Sequence, residues 1–198
     1  MNFSKIPSDA FKHIQLNAGM LVDDFKPATK TYGNIIGATS GGNNFTSTPT
    51  FTDYGEDIDN CPKNMLELKK LESWEVKMSG TFISVDAAAA KMLVGAADID
   101  ASDATHIIPR NDVLTTDFKD IWWVGDYSDE NTGDNAGCMA IHLMNALNTT
   151  GFAIQSTDNG KGTFSYEFTG HYSMDAQDTV PFEIYILGGD GTTTGDPE

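Results

Sequence analysis

Residues 37–62, GATSGGNNFTSTPTFTDYGEDIDNCP, come nearest to a catalytic or ligand-binding pattern in this chain. Ser40 lies in ATSGG, a variant of the G-x-S-x-G elbow of serine hydrolases, but that elbow needs a strand before it and a helix after it. The following NNFTSTPTF cannot begin a helix, and the glycines do not lead into the G-K-[ST] ending of a phosphate-binding loop. The segment therefore predicts neither a nucleophile nor a phosphate site.

Two acidic loops could instead hold a cation, because loop carboxylates are the ligands that Ca²⁺ prefers. Neither loop has the alternating Asp and Asn spacing, with its Gly and distant Glu, of an EF-hand. We interpret both as solvated turns and expect no metal site, and a calcium-dependent carbohydrate-binding β-sandwich module remains the alternative function. The side chains concerned are Asp53, Glu56, Asp57 and Asp59 in the first loop, and Asp126, Asp129, Glu130, Asn131 and Asp134 in the second.

The histidines and cysteines are isolated from one another along the chain. No H-x-H, H-x-x-x-H or C-x-x-C spacing occurs, so the sequence offers no metal-ligand pair and no redox motif. We expect structural histidines, free thiols, no cofactor and no enzymatic activity. The residues are His13, His106, His142, His171, Cys61 and Cys138.

The charge balance is strongly acidic. The chain has 29 Asp and Glu against 12 Lys and Arg, a formal net charge of −17. Binding to nucleic acid through phosphate neutralisation needs a basic patch, so that class of function is excluded. No apolar run suits a signal peptide or a membrane span, and we expect a soluble protein made in a cytosol that binds no membrane.

Strands dominate the elements that must position these residues. FSYEFTGHY at 164–172 and WEVKMSGTF at 74–82 alternate apolar and polar residues, which predicts strands with one covered face. GCMAIHLMNALN at 137–148 fits a helix or a strand, and the preceding Gly and following NTTG favour a strand. Further strands are predicted at 13–24, 32–38, 118–126, 153–156 and 180–187.

One short helix and one tryptophan pair complete the pattern. VDAAAAKMLVGAAD predicts a helix with Asp86 as its N-cap, placed against an open end or side of the sheet. Trp122 and Trp123 are adjacent in a strand and must point to opposite faces. A small sandwich has one interior, so we expect one of the two to contact a helix or another subunit.

These elements predict a mainly β fold: a β-sandwich or partial barrel with one short flanking α-helix. We expect a single domain over residues 1–198, with an extended arm at about 37–62 and a flexible C-terminal tail at 188–198.

The chain resembles the major tail protein, or tail tube protein, of long-tailed bacteriophages. The resemblance runs in order from about residue 16 to residue 187, through GATSGGNNFTSTPTFTDYGEDIDNCPKNM, WEVKMSGTF, DFKDIWWVGDYSDENTG, AIHLMNALNTTGFAIQ, GTFSYEFTGHYSM and VPFEIYIL. It implies a β-sandwich or partial barrel flanked by a helix, assembled as hexameric rings that stack into a hollow tube. Such a protein is located in the virion tail, is assembled in the host cytoplasm, and contacts the tape measure, tail terminator and distal tail proteins.

The resemblance also gives the acidic charge and residues 37–62 a role. The inner sheets of the subunits would join into a lumen wall, and a ring carrying on the order of a hundred negative charges would repel phosphates, so that DNA passes without specific binding. The family has a long arm between early strands that packs on the adjacent ring, and residues 37–62 match its position. We expect this arm to be partly disordered before assembly. The candidate inter-subunit contacts are Phe45, Phe51, Tyr54, Trp122 and Trp123.

We expect no second, immunoglobulin-like domain of the kind that longer family members have. This departure favours a minimal tube subunit over one that also adheres to the host surface.

Overall fold

The computed structural model describes residues 6–7, 10–127 and 137–188. It is mainly β, with 50% strand and 12% helix, as the sequence predicts. Its strands are β1 (Gln15–Val22), β2 (Phe25–Lys26), β3 (Thr31–Tyr32), β4 (Thr39–Asp53), β5 (Lys69–Phe82), β6 (Ala97–Ile99), β7 (Ile107–Pro109), β8 (Lys119–Tyr127), β9 (Cys138–Asn148), β10 (Ala153–Gln155), β11 (Thr163–Thr169) and β12 (Phe182–Leu187).

Eight of these strands form one antiparallel sheet that folds over on itself. In its first half the order is β1, β8, β9, β12, with β9 hydrogen-bonded to both β8 and β12. In its second half β10 pairs with β11, β11 with β5, and β5 with β4. The end of β9 pairs with the end of β11 and joins the halves. The result is a sandwich whose two halves are joined along one side by this pairing, consistent with the predicted sandwich or partial barrel.

The main core packs side chains from both halves. Leu21, Trp123 and Leu143 enter it from the first half, and Val76 and Phe168 from the second, all buried. Each alternates along its strand with a residue on the opposite face, the pattern that burial of one sheet face imposes. This core is what holds the two halves together.

The helix α1 (Ala87–Val94) lies against this core through Ala89 and Leu93. Asp86 caps it as predicted, because its Oδ1 accepts a hydrogen bond of 2.8 Å from the N–H of Ala89. At the other end Asn148 of β9 donates from Nδ2 to the carbonyl of Leu93 at 2.6 Å. The helix is therefore capped locally at its start and tied to β9 at its end. Within the described residues no helix is long and apolar enough to cross a membrane.

Most predicted strands are confirmed, with two differences. The strand predicted at 32–38 is wrong beyond Tyr32, since the chain there makes a single bridge from Ile35 to Val22. The segment 39–53, which we expected within an extended arm, is the strand β4. The strand is hard to predict from its Gly, Asn and Pro content, because these residues are rare in strands. The predicted tail at 188–198 lies, after Gly188, outside the described residues.

Candidate assembly surfaces

The long hairpin of β4 and β5 is the first feature that projects from the fold. β4 pairs with β5 from Asn43 opposite Gly80 to Asp53 opposite Lys69. β11 pairs with β5 only from Lys77 onward, so before that residue β4 is the only strand that pairs with β5. We call residues 47–76, the two strand segments and their connection, the ribbon. Residues 39–53 are therefore a strand hydrogen-bonded to β5, and partial disorder of the arm before assembly stays a prediction.

Two irregularities adjust the pairing of this hairpin. Gly41 and Gly42 have φ of 83° and 84°. They lie between Thr39 and Asn43, where β4 has more residues than the facing segment of β5. Left-handed backbone of this kind suits glycine, so the glycines of ATSGG form a bulge. A second shift follows Thr50, so that Phe51 faces Leu71 and Glu72 is the extra residue.

The ribbon has one apolar face and one polar face. Residues directly opposite each other in an antiparallel pair share a face. One face therefore carries the pairs Ser47 with Val76, Pro49 with Trp74, and Phe51 with Leu71, and the opposite face carries Thr46 with Lys77, Thr48 with Glu75, and Thr52 with Lys70.

The apolar face begins in the core and continues beyond it. Val76 is fully buried, and Trp74 packs edge-on against Phe182 with ring centroids 5.5 Å apart. Further out, Phe51 is 50% exposed and Leu71 is 42% exposed. A face built like a core therefore extends into solvent with no cover from the described residues of its own chain.

The connection at the end of the ribbon is held by Asp53. Its Oδ1 accepts from the N–H of Gly55 at 2.9 Å and its Oδ2 from the N–H of Asn64 at 2.7 Å. These backbone hydrogen bonds, that of Asn64 first, lower the pKa of the Asp53 carboxyl below its ordinary value. Both carboxylate oxygens of Asp53, which the sequence places in an acidic loop, thus accept hydrogen bonds that close the turn.

The other acidic residues and the two cysteines also occupy structural positions. No group of three or more His, Cys, Asp or Glu placed to hold a metal occurs in the part of the chain that the structure describes. In the second acidic loop only Asp126 is described, and Asp129, Glu130, Asn131 and Asp134 lie outside that part. Cys61 and Cys138 are free, as predicted, and burial raises the pKa of the Cys138 thiol.

The five predicted contact residues have different surroundings. Tyr54, at the ribbon end, and Phe51 are exposed, whereas Phe45 is half-buried with its ring centroid 5.7 Å from that of Phe182. Trp122 and Trp123 are only 7% and 8% exposed.

The premise that the sandwich has a single interior is wrong, because each face of this part of the sheet has its own core, and the contact of one tryptophan with another subunit stays a prediction. Trp123 lies in the main core and its Nε1 donates to the carbonyl of Ala18 at 3.0 Å. Trp122, on the opposite face, stacks on His142 at 3.9 Å and packs against Phe25 of β2. The hairpin of β2 and β3 supplies a second, smaller core there.

Among the described residues, β12 is an edge strand of the four-stranded half and pairs only with β9. β1, at the other edge, pairs with β8, and its last residues also bond to residues 35–36, where the N–H of Ile36 donates to the carbonyl of Leu21 at 2.9 Å. β12, FEIYIL, has no Pro, Lys or bulge of the kind that blunts an exposed edge. Its Ile184 and Ile186 are 47% and 43% exposed. We had predicted the strand but not its edge position, which depends on strand order.

The outer face of this half is acidic. β1, β9 and β12 contain no Lys or Arg, and β8 contains only Lys119, at its first position. Asp120 and Glu183 flank His142, whose Nε2 is 3.3 Å from an Asp120 oxygen and whose Nδ1 is 3.7 Å from a Glu183 oxygen. Asp126 adds a third carboxylate and accepts a hydrogen bond of 2.5 Å from Asn17. The hairpin of β2 and β3 covers part of the same face, and the connecting Lys30 donates from Nζ to the carbonyl of Gly188 at 3.0 Å, so the face is neither fully open nor purely acidic.

The cavities next to the core offer no assembled catalytic group among the described residues. A cavity of about 400 Å³ beside α1 is lined by Lys91, Met92, Asp117 and Asp120, among others. Asp117 is already paired with Arg110 at 2.6 Å, and Asp120 accepts from the N–H of Asn145 at 2.9 Å. Ser40 lies within β4, which is not the strand-turn-helix setting of a nucleophile elbow.

Comparison with known proteins adds no relative to these observations. No model of a protein family matches the chain. A search of curated proteins likewise found no match.

Proposed function

We propose that this protein is the structural subunit of a phage tail tube, forming stacked hexameric rings whose acidic lumen conducts DNA during delivery to the host. The observation that carries the proposal is the apolar face of the ribbon, which leaves the core and ends uncovered at Phe51 and Leu71. Aromatic and aliphatic side chains exposed in this way are typical of protein contacts. The sequence resemblance over residues 16–187 supports the same assembly.

The edges of the four-stranded half support ring formation. β12 of one subunit could pair through its backbone with the first part of β1 of the next, because no described strand lies on that side of either, whereas the end of β1 is already bonded to residues 35–36. A contact between two different surfaces of identical subunits is head-to-tail, and it closes into a ring when the rotation permits. The sheet would then continue from subunit to subunit.

The ribbon supports stacking of one ring on the next. β4 and β5 are 15 and 14 residues long, and at about 3.3 Å per residue they reach well beyond the six-residue pairing of β11 with β5. Pro49 lies in the unpaired edge of β4, where it discourages pairing with further strands. The ribbon therefore presents side chains more than backbone to a partner.

The acidic charge of the chain supports a channel that repels DNA. The net charge of the chain is −17. Charge of the same sign as DNA prevents binding, so that DNA slides along the wall. In the proposed tail the tube also meets the tape measure, tail terminator and distal tail proteins.

Electron microscopy of the purified protein at high concentration tests this function. We expect hollow tubes of uniform diameter with ring repeats, and mass spectrometry of purified tails of the parent virion should identify this chain. A protein that stays monomeric at every concentration and is missing from such tails would overturn the proposal.

A further inference from the structure

The ribbon end, residues 54–68 between β4 and β5, carries an exposed apolar side chain between two carboxylates. Ile58 is 50% exposed, and its neighbours in the chain are Asp57 and Asp59. Neither aspartate forms a hydrogen bond or an ion pair with any described residue. Residues 47–76 contain seven Asp and Glu against three Lys. A surface that receives the ribbon end must therefore be apolar and cationic.

The cavity of about 400 Å³ beside α1 combines apolar lining with two lysines. Ala88, Met92 and Ile99 supply the apolar lining, and Lys91 and Lys119 line the same cavity. Neither ammonium group has a hydrogen-bond or ion-pair partner among the described residues. In a chain of net charge −17, two such cations at one cavity give an acidic segment a surface that it can approach.

The three carboxylates that line this cavity are already bonded. Asp23 accepts hydrogen bonds at both oxygens from Asn34, at 2.7 and 2.9 Å. Asp117 is paired with Arg110 at 2.6 Å, and Asp120 accepts a backbone hydrogen bond of 2.9 Å from β9. The charges around the cavity therefore balance once Arg110 is included. Of these charged groups, only the two lysines have no partner in the described part of the chain.

The ribbon end and the helix that lines the cavity are at opposite ends of β5. The ribbon end precedes Lys69, the first residue of β5, and α1 begins at Ala87, five residues after Phe82, the last residue of β5. At about 3.3 Å per residue, a strand of 14 residues separates its two ends by about 45 Å. The ribbon end of one chain therefore does not reach the cavity of the same chain, and a second copy must supply it.

We infer that the cavity beside α1 receives the ribbon end of a second copy of this chain. Ile58 packs against the apolar lining, and the two flanking aspartates lie beside the two lysines. The apolar contact supplies the attraction, and the complementary charges select the surface and the orientation. The inference rests on the proposed function, since it assigns an acceptor to the stacking ribbon. Donor and acceptor are different surfaces of one chain, so the contact repeats from copy to copy without closing on itself.

Charge reversal tests this pairing. One variant carries Asp57→Lys with Asp59→Lys, a second carries Lys91→Glu with Lys119→Glu, and a third carries all four changes. We expect each of the first two variants to lower the yield of tubes about tenfold or more, because like charges then face each other across the contact. The third variant, which has the net charge of the wild type, should recover the yield. Sedimentation and electron microscopy measure the tubes.

The matched control for the first variant is Glu67→Lys with Glu72→Lys. Both glutamates are exposed on the ribbon, and their reversal changes the net charge by the same amount. We expect the control to assemble as well as the wild type, which separates the pairing from a general effect of charge. Circular dichroism verifies that every variant is folded.

Photo-crosslinking gives a readout that needs no charge reversal. Benzoylphenylalanine is placed at Ile58, and isotopically heavy and light chains are mixed before assembly so that crosslinks between copies are distinguished by mass. We expect the probe to attach within residues 88–99 or 116–120 of another copy.

Three results would overturn this inference and leave the proposed function standing. They are normal tubes with either reversed pair, a folded third variant that does not assemble, and crosslinks from the probe at Ile58 to other segments only. A wild-type protein that never assembles would overturn both the inference and the proposed function.

Discussion

Trp122 and Trp123 are neighbours in β8 with opposite side-chain directions, and both are nearly fully buried. Trp123 fills the core between the two halves of the sheet. Trp122 lies in a second cluster with Phe25 and Leu187 and stacks in parallel on His142. The two residues thus join the sheet to both layers that cover it, and each is expected to stabilise the monomer.

Replacing either tryptophan with Ala should destabilise the fold by about 3–5 kcal/mol, because each change leaves a large cavity beside fixed neighbours. Urea unfolding of Trp122→Ala and Trp123→Ala, followed by circular dichroism, measures this loss. Phe51→Ala is the matched control, since that aromatic ring is half exposed and its cross-strand pair contributes about 1 kcal/mol or less. A Trp122→Ala protein as stable as the wild type would show that this side chain belongs to an assembly contact after all.

At the scale of elements, the hairpin of β4 and β5 has two parts with different roles. Its base contributes Phe45, Val76 and Met78 to the core or its border. Its outer part beyond Thr50 and Ser73 contributes no buried hydrophobic residue. Changes at the base of this hairpin should therefore affect stability, and changes in its outer part should affect assembly.

Shortening the ribbon should abolish assembly and preserve the fold. Replacing residues 51–72 with Asn-Gly joins Thr50 to Ser73, which already face each other, through a two-residue turn. We expect a cooperatively folded monomer, and sedimentation velocity should detect no tubes. The contrasting deletion of residues 41–57 removes Phe45 and most of β4, so it should lower the midpoint of thermal unfolding. A shortened ribbon that still polymerises would contradict the role given to its apolar face.

At the scale of the whole molecule, charge opposes association while apolar surface favours it. With a net charge of −17, subunits repel one another at low ionic strength. The uncovered apolar faces of the ribbon and of β12 supply an attraction that salt does not weaken. The balance between charge repulsion and apolar attraction should therefore depend on the salt concentration.

Raising the salt concentration from about 10 mM to about 0.5 M should promote polymerisation, because the Debye length falls from about 30 Å to a few Å. Light scattering at constant protein concentration follows this change, and the protein with the shortened ribbon serves as the control that should not respond. Tubes that dissolve as salt rises would mean that ion pairs between subunits dominate the contact.

Local patterns in the sequence determined much of the fold. Alternation in WEVKMSGTF and FSYEFTGHY predicts β5 and β11, and Asp86 before an alanine run predicts the start of α1. These features depend on neighbours within a few residues, since strand alternation and helix capping are local effects. Among the candidate contacts named from the sequence, Phe51 and Tyr54 are exposed, whereas Phe45 is half-buried and Trp122 and Trp123 are nearly fully buried.

Long-range pairing was decided by the tertiary structure alone. Residues 39–53 read as a loop because Gly41, Gly42 and Pro49 disfavour strands, yet they form the longest strand, since β5 supplies a partner along its whole length. The burial of Trp122 depends on β2 and β3, two short strands without an alternating pattern. The open edge at β12 follows from strand order, which the sequence of a single strand does not encode, because a strand's neighbours are set by contacts distant in the chain.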